Sequence, residues 1–136
     1  MTSSVDTAPE ARGTGYVGAM SDELITTAVT STSTEVYGRT INKARHNYFV
    51  IDSPNGPGEA LATGEAFLSG IAACGVTLVQ GVAKTESIQL DRLSVAITGI
   101  RLASNPVDFH QIDIAFSYRG PNQEQAGHLT ELWQAR

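Results

Sequence analysis

Apolar and polar positions along the chain alternate with two different periods, and the switches between them predict six elements after a polar start. Residues Met1 to about Asp22 are rich in Ser, Thr, Gly and Ala and show no periodicity. They read as a flexible arm covering residues 1–22, or alternatively as an arm that docks on a partner chain. The remaining residues, 23–136, read as a single domain. From Leu24 to Asp52 the pattern turns to β. The stretch LITTAVTSTSTEVYG is dense in Thr and Val, which suit a pleated, half-buried surface. NYFVID is a second compact apolar run, and the polar, basic segment GRTINKARH lies between the two. That segment covers a strand and a turn, with Gly38 as punctuation. Ser53 to Gly64 carries two prolines and three glycines beside Asn55, the composition of a loop, and long loops inside domains are often functional.

The segment EAFLSGIAACGVTLVQGVAKTE changes the period. Phe67, Ile71, Cys74, Leu78 and Val82 recur at steps of three or four, and Leu68, Ala72, Gly75 and Val79 form a second row beside them. Two adjacent rows predict a helix with a broad apolar face, largely buried and needing cover on more than one side. Thr63 or Gly64 precedes its first turn, and Glu65 suits the positive end of the helix dipole. Gly70, Gly75 and Gly81 each cost about 1 kcal/mol of helix propensity against Ala, so close packing on a sheet or on another helix is expected there. DRLSVAITGIRLAS and DFHQIDIAFSYRG then alternate in and out. They read as two antiparallel strands joined by a turn at Asn105-Pro106, with a slip near His110. The last segment reads as a helix opened by Pro121 or Asn122, with Leu129, Leu132 and Trp133 facing the core. The order strand, strand, long helix, strand, strand, helix predicts an α+β fold of antiparallel strands packed on a long central helix. The wide apolar face of that helix predicts a homodimer.

Composition narrows the partners. The chain has 136 residues, enough for one domain that buries roughly two thirds of its unfolded surface. Nine basic residues against fourteen acidic ones leave a formal net charge of −5. The basic residues form no run, so a nucleic-acid partner is not expected. No apolar stretch reads as a bilayer span, and the start of the chain lacks a charged-then-apolar signal pattern. The expectation is therefore a cytoplasmic protein with no membrane partner.

Cys74 is the single cysteine, which excludes a disulfide framework and a cysteine metal cluster within these residues. A lone cysteine is more often a small buried hydrophobe than a reactive thiol. Cys74 falls in mid-helix, where the dipole contributes little, so a reactive Cys74 needs a nearby cation. Arg39 and Arg45, in the polar β segment, are the candidates, and a surface ion pair is the plain alternative for each. His46 beside Arg45 is a further candidate base. His46, His110 and His128 lack metal-ligand spacing, and NGPGEALATG lacks the features of a phosphate loop. No GxSxG elbow occurs. No metal and no cofactor are expected.

GEAFLSGIAACGVTLV resembles the central-helix motif of the OsmC/Ohr family, the osmotically inducible and organic hydroperoxide resistance proteins. That motif runs Pro-x-Glu-Leu, then small and apolar residues, then Ala-x-Cys. FVIDSPNGPGEA before it resembles the family's strand followed by Asp-x-Pro and a Gly-rich loop. The likeness covers about residues 35 to 120 in element order and is sharp across Glu65 to Val79. The resemblance implies an intertwined α+β homodimer with active sites at the interface. There a reactive cysteine attacks a peroxide oxygen, a second cysteine resolves the sulfenic acid, and an arginine and a glutamate hold the thiolate. By position these are Cys74, Arg39 (or, second, Arg45) and Glu65. The substrate implied is an organic hydroperoxide.

Two features depart from that pattern. The second cysteine normally follows the last helix, and no residue here fills that role. An external thiol is then the expected reductant. The proline before the motif glutamate is also replaced, with Thr63 and Gly64 in its place. Moreover, Glu65 and Cys74 are nine positions apart. On a straight helix that is about 900° of rotation and about 13 Å of rise, so the two side chains point to opposite faces. Glu65 is otherwise a first-turn carboxylate stabilised by the dipole. Two competing readings stand beside the peroxidase. One is an enzyme that reuses the site with Cys74 as nucleophile toward an acyl or other electrophile. The other is a dimeric binding protein with an inert Cys74.

Overall fold

Seven regular elements follow one another in the computed structural model, which describes residues 23–136. The arm expected over Met1–Asp22 lies outside the described residues. Three strands, β1 (Thr30–Ser33), β2 (Arg39–Ala44) and β3 (Asn47–Asp52), form one antiparallel sheet in that order. Helix α1 (Thr63–Thr85) follows, then β4 (Arg92–Ile100) and β5 (Gln111–Arg119) as a second antiparallel pair, and α2 (Gln123–Gln134) closes the chain. The α+β class and the strand pairing agree with the sequence pattern.

The first sheet differs from expectation in how the chain is spent. The Thr/Val-rich stretch yields only the four residues of β1, and Leu24 and Ile25 stand 91% and 94% exposed outside any strand. The polar segment instead supplies the central strand, β2. A polar sequence suits this position because its inward group, Asn42, is only 3% exposed yet fully hydrogen-bonded. Ser31 Oγ donates to Asn42 Oδ1 at 2.6 Å, and Asn42 Nδ2 donates to Thr40 Oγ1 at 3.2 Å and to the Phe49 carbonyl at 3.3 Å. Gly38 enters β2 at φ +77°, and a Cβ there would lie 2.6 Å from Ser53 Oγ and 2.8 Å from the Gly56 Cα. Only glycine lets the loop after β3 close over this turn.

The core lies between α1, α2 and one face of β4–β5. Leu93, Val95 and Ile97 point inward from β4, and Ile114, Phe116 and Tyr118 from β5, while alternate residues face outward. Val79, Ala83 and Leu129 are fully enclosed, with Val82, Leu93, Phe116, Tyr118 and Trp133 packed around them. Phe116 meets Trp133 edge-on at 5.2 Å, and Tyr118 Oη shares a 2.9 Å hydrogen bond with Thr130 Oγ1. Asn122 caps α2 by accepting from the Gln125 N–H at 2.9 Å, as the sequence predicts for that end.

The central helix is half covered. Its buried line is Gly75, Val79 and Ala83. A Cβ at Gly75 would meet Trp133, Val95 and Phe116 at 3.5 to 3.7 Å, so its smallness seats the helix on the sheet. The row expected to be buried with it is not. Phe67 is 55% exposed, Cys74 is exposed, and Leu78 and Val82 are half-buried. The periodicity was broad enough to fit two faces, and one β4–β5 ladder covers only one of them. At mean hydropathy 1.7 over an 18-residue window, α1 is also long and apolar enough to match a bilayer span by length and composition. That corrects the expectation that no stretch is, although α1 here serves as a core helix through Val79 and Ala83.

Candidate functional site

Cys74 lies on the uncovered face of α1. Gly70, Ala73, Cys74, Thr77 and Gly81 follow one another on that face at helical spacing, and all are exposed. A Cβ at Gly70 or Gly81 would meet nothing within 4 Å among the described residues. Their smallness is therefore unexplained by packing among the described residues, in contrast to Gly75. Thr77 Oγ1 turns back to the helix and donates to the Ala73 and Cys74 carbonyls at 3.1 and 3.2 Å. The thiol is left open to solvent on a surface of small side chains.

Arg39 stands at the start of β2, directly opposite Asp52 at the end of β3. Arg39 Nε and Nη2 donate to the two Asp52 carboxylate oxygens at 2.8 and 2.9 Å, and Nη2 donates also to Glu59 Oε2 at 2.8 Å. Asp52 is 1% exposed and additionally accepts from the Glu59 and Ala60 N–H groups at 2.9 and 3.1 Å. Hydrogen bonding from Arg39 holds the Asp52 carboxyl well below the usual carboxylate range, against the opposing effect of its burial. The Asp52 hydrogen bond, with Glu59 second, raises the Arg39 guanidinium still further above its ordinary value. Asp52 thus fixes both Arg39 and the loop that leads into α1, and a bridge between Asp52 and Ala62 completes the joint. Sequence reasoning missed Asp52 and Glu59 as partners of Arg39. A strand-ending aspartate before a Gly-rich loop was the available signal. A cavity of ≈ 270 Å³ opens beside this cluster, lined by Ser33, Tyr37, Arg39, Ile51, Ser53 and Thr63 among others; Cys74 is not part of it.

Glu65 occupies the third position of α1, where its Oε2 accepts from the Ala62 N–H at 2.8 Å. Ala62 has no side-chain oxygen to return the bond, so Glu65 provides the only side-chain half of this cap. This is the first-turn role that stands as the alternative to a place at the thiol. Arg45 lies in the β2–β3 turn at φ 57°, at the end of the hairpin away from Arg39 and α1. Among the described residues, no hydrogen bond or ion pair links Cys74 to Arg39, Arg45 or Glu65. The described residues contain no cluster of ligands for a metal ion.

This arrangement of two antiparallel sheets about a long central helix is that of a known class. The OsmC-like protein of Mycoplasma pneumoniae is similar over 82% of each chain, with a TM-score of 0.73 at 19% identity. The organic hydroperoxide resistance protein OsmC of Legionella pneumophila matches 84% of this chain and 85% of its own, with a TM-score of 0.62 at 21% identity. OhrB of Bacillus subtilis, an organic hydroperoxide resistance protein, covers 82% of this chain and 84% of its own, with a TM-score of 0.56 at 19% identity. No family model matches the sequence, and no curated protein matches it. The chain has the OsmC-like fold, the fold that the motif ending at Cys74 resembles.

Proposed function

We propose that this chain is a thiol-dependent protein of the OsmC/Ohr kind that reduces organic hydroperoxides through Cys74, with an external thiol as reductant. The observation that carries the reading is the position of Cys74, exposed on the small-residue face of the central helix of an OsmC-like fold. The Cys74 thiolate attacks the terminal peroxide oxygen and the O–O bond breaks. Cys74 becomes a sulfenic acid, and the alkoxide takes a proton to leave as an alcohol. One external thiol then displaces water to give a mixed disulfide, and a second releases Cys74 and carries away the disulfide. With one cysteine in the sequence, both resolving thiols come from outside the chain.

The working unit in this proposal is a cytoplasmic homodimer. The uncovered face of α1, with Gly70 and Gly81 open to close approach, and the exposed Ile41, Tyr48, Phe49 and Val50 of the first sheet support it. A helix whose second apolar face is bare needs cover. Within one chain Arg39 is committed to two carboxylates. In this proposal the activating cation for Cys74, Arg39 first and Arg45 second, comes from the partner chain. That commitment of Arg39 also favours a second reading, in which Cys74 serves as a nucleophile toward another electrophile, or is inert in a binding dimer.

The test is turnover. Cumene hydroperoxide should be consumed with dithiothreitol as reductant by the wild-type protein and not by Cys74→Ser. Equal consumption by both would remove the peroxidase reading.

A further inference from the structure

The outer face of the β4–β5 ladder carries a feature that Cys74 chemistry does not use. Arg92 is paired directly with Arg119 across the ladder, and Ser94 directly with Ser117. The register puts all four side chains on one face, because residues two apart in a strand point the same way. All four are exposed, while the intervening Leu93 and Tyr118 turn inward to the core. Directly opposed side chains in such a ladder start about 5 Å apart, and successive pairs on one face are about 7 Å apart. The result is a small rectangle with two guanidinium groups at one end and two hydroxyls at the other. It borders a cavity of ≈ 350 Å³ lined by Arg92, Ser94, Ser117, Tyr118 and Arg119.

Like charges placed directly opposite each other destabilise a ladder. A carboxylate beside them would relieve the cost, but the ion pairs of the described residues are Arg39 with Asp52 and Glu59, and His128 with Glu86. Two acids of the ladder region, Asp91 and Asp113, accept hydrogen bonds from Gln89 Nε2 at 3.0 Å and Gln111 Nε2 at 2.6 Å, and neither forms an ion pair with Arg92 or Arg119. The protein as a whole carries −5, so this is a local cationic spot on an acidic molecule and not part of a basic surface.

We infer that this face is a binding site for a small phosphoryl anion. Two guanidinium forks match the oxygens of a phosphoryl group bidentately. The serine hydroxyls donate to the remaining oxygens or to the body of the ligand. The bound dianion neutralises the Arg92–Arg119 pair, so binding and ladder stability are linked. The site is independent of the peroxidase reading and stands if that reading fails.

The experiment is a titration of the full chain with inorganic phosphate at constant ionic strength, followed by amide NMR shifts and by thermal unfolding. Shifts should saturate at Arg92, Ser94, Ser117 and Arg119, and phosphate should raise the unfolding temperature. Arg92→Gln and Arg119→Gln should each weaken binding at least about tenfold and abolish the phosphate-dependent rise, while leaving the phosphate-free protein as stable as wild type or more so. Arg119→Lys, which keeps the charge and loses the fork, should weaken binding as well. Lys84→Gln, on the exposed last turn of α1, removes one positive charge elsewhere and should change nothing. The inference is overturned if no saturation occurs up to about 10 mM or if Lys84→Gln weakens binding equally. Binding to phosphatidylglycerol vesicles without binding to inorganic phosphate would also overturn it, since the anion would then be a membrane surface.

Discussion

Arg39 and Asp52, directly opposed on β2 and β3, form a two-pronged ion pair at 2.8 and 2.9 Å around a carboxylate that is almost wholly enclosed. The pair decides how the loop 53–61 enters the central helix, because Asp52 also holds the Glu59 and Ala60 N–H groups. Its sign in pH is fixed. The folded-state value of Asp52 is depressed by Arg39. Its contribution is therefore fully present above the unfolded carboxylate value of about 4 and lost as pH falls through the folded value. Urea unfolding should show stability falling below about pH 4, and Asp52→Asn should be less stable at pH 7 with a shallower acid slope. An unchanged slope would mean that Asp52 is not the group being titrated.

Glu59 should matter little for the fold and more for the chemistry. It is 73% exposed and touches Arg39 through one oxygen, a geometry worth at most about 1 kcal/mol. With Glu59 in place, Arg39 faces two carboxylates. If Arg39 activates Cys74, Glu59→Gln should speed iodoacetamide labelling of Cys74 at neutral pH, and Arg39→Ala should slow it. If neither changes the rate, Arg39 is not the activating cation, and Arg45→Ala becomes the deciding variant.

Glu65 is expected to act on the helix and not on the thiol. Glu65→Ala removes the bond to the Ala62 N–H and a carboxylate from the first turn, at a cost of about 0.5–1 kcal/mol. Labelling of Cys74 should be unchanged. A slowing beyond about tenfold, the equivalent of one pKa unit, would place Glu65 at the thiol across a dimer interface.

Two substitutions separate the covered face from the bare one. Leu129 is 0% exposed, and Leu129→Ala should cost about 2–5 kcal/mol in chemical unfolding. A side chain at Gly70 would meet nothing within 4 Å of its Cβ among the described residues. Gly70→Leu should therefore leave the monomer fold intact, gaining up to about 1 kcal/mol of helix propensity, while light scattering should show the proposed dimer weakened. A Gly70→Leu protein that remains fully dimeric would place the interface elsewhere.

The element order, the helix and the paired strands were legible because period two and period three to four are written plainly in β4, β5 and α1. The faces were less so. Two adjacent apolar rows on α1 fit either orientation, and the choice was made by Gly75, whose lack of a side chain seats the helix against Val95, Phe116 and Trp133. The polar segment of β2 reads as strand and turn in the sequence, but not as the centre of the first sheet, because the network that buries Asn42 spans three strands. Among the candidate site residues, Cys74 and Arg39 are singled out by residue type alone. The partners of Arg39 are not, because Asp52 and Glu59 reach it only once the hairpin and the following loop have closed.

The central claim rests on what Cys74 does with a peroxide. Reduced protein exposed briefly to near-equimolar cumene hydroperoxide, beside Cys74→Ser, can be weighed intact by mass spectrometry. The account predicts a rapid gain of one oxygen at Cys74, reversed by added thiol and absent from Cys74→Ser. A wild-type mass that does not change under those conditions would contradict it, leaving Cys74 to another electrophile or to none.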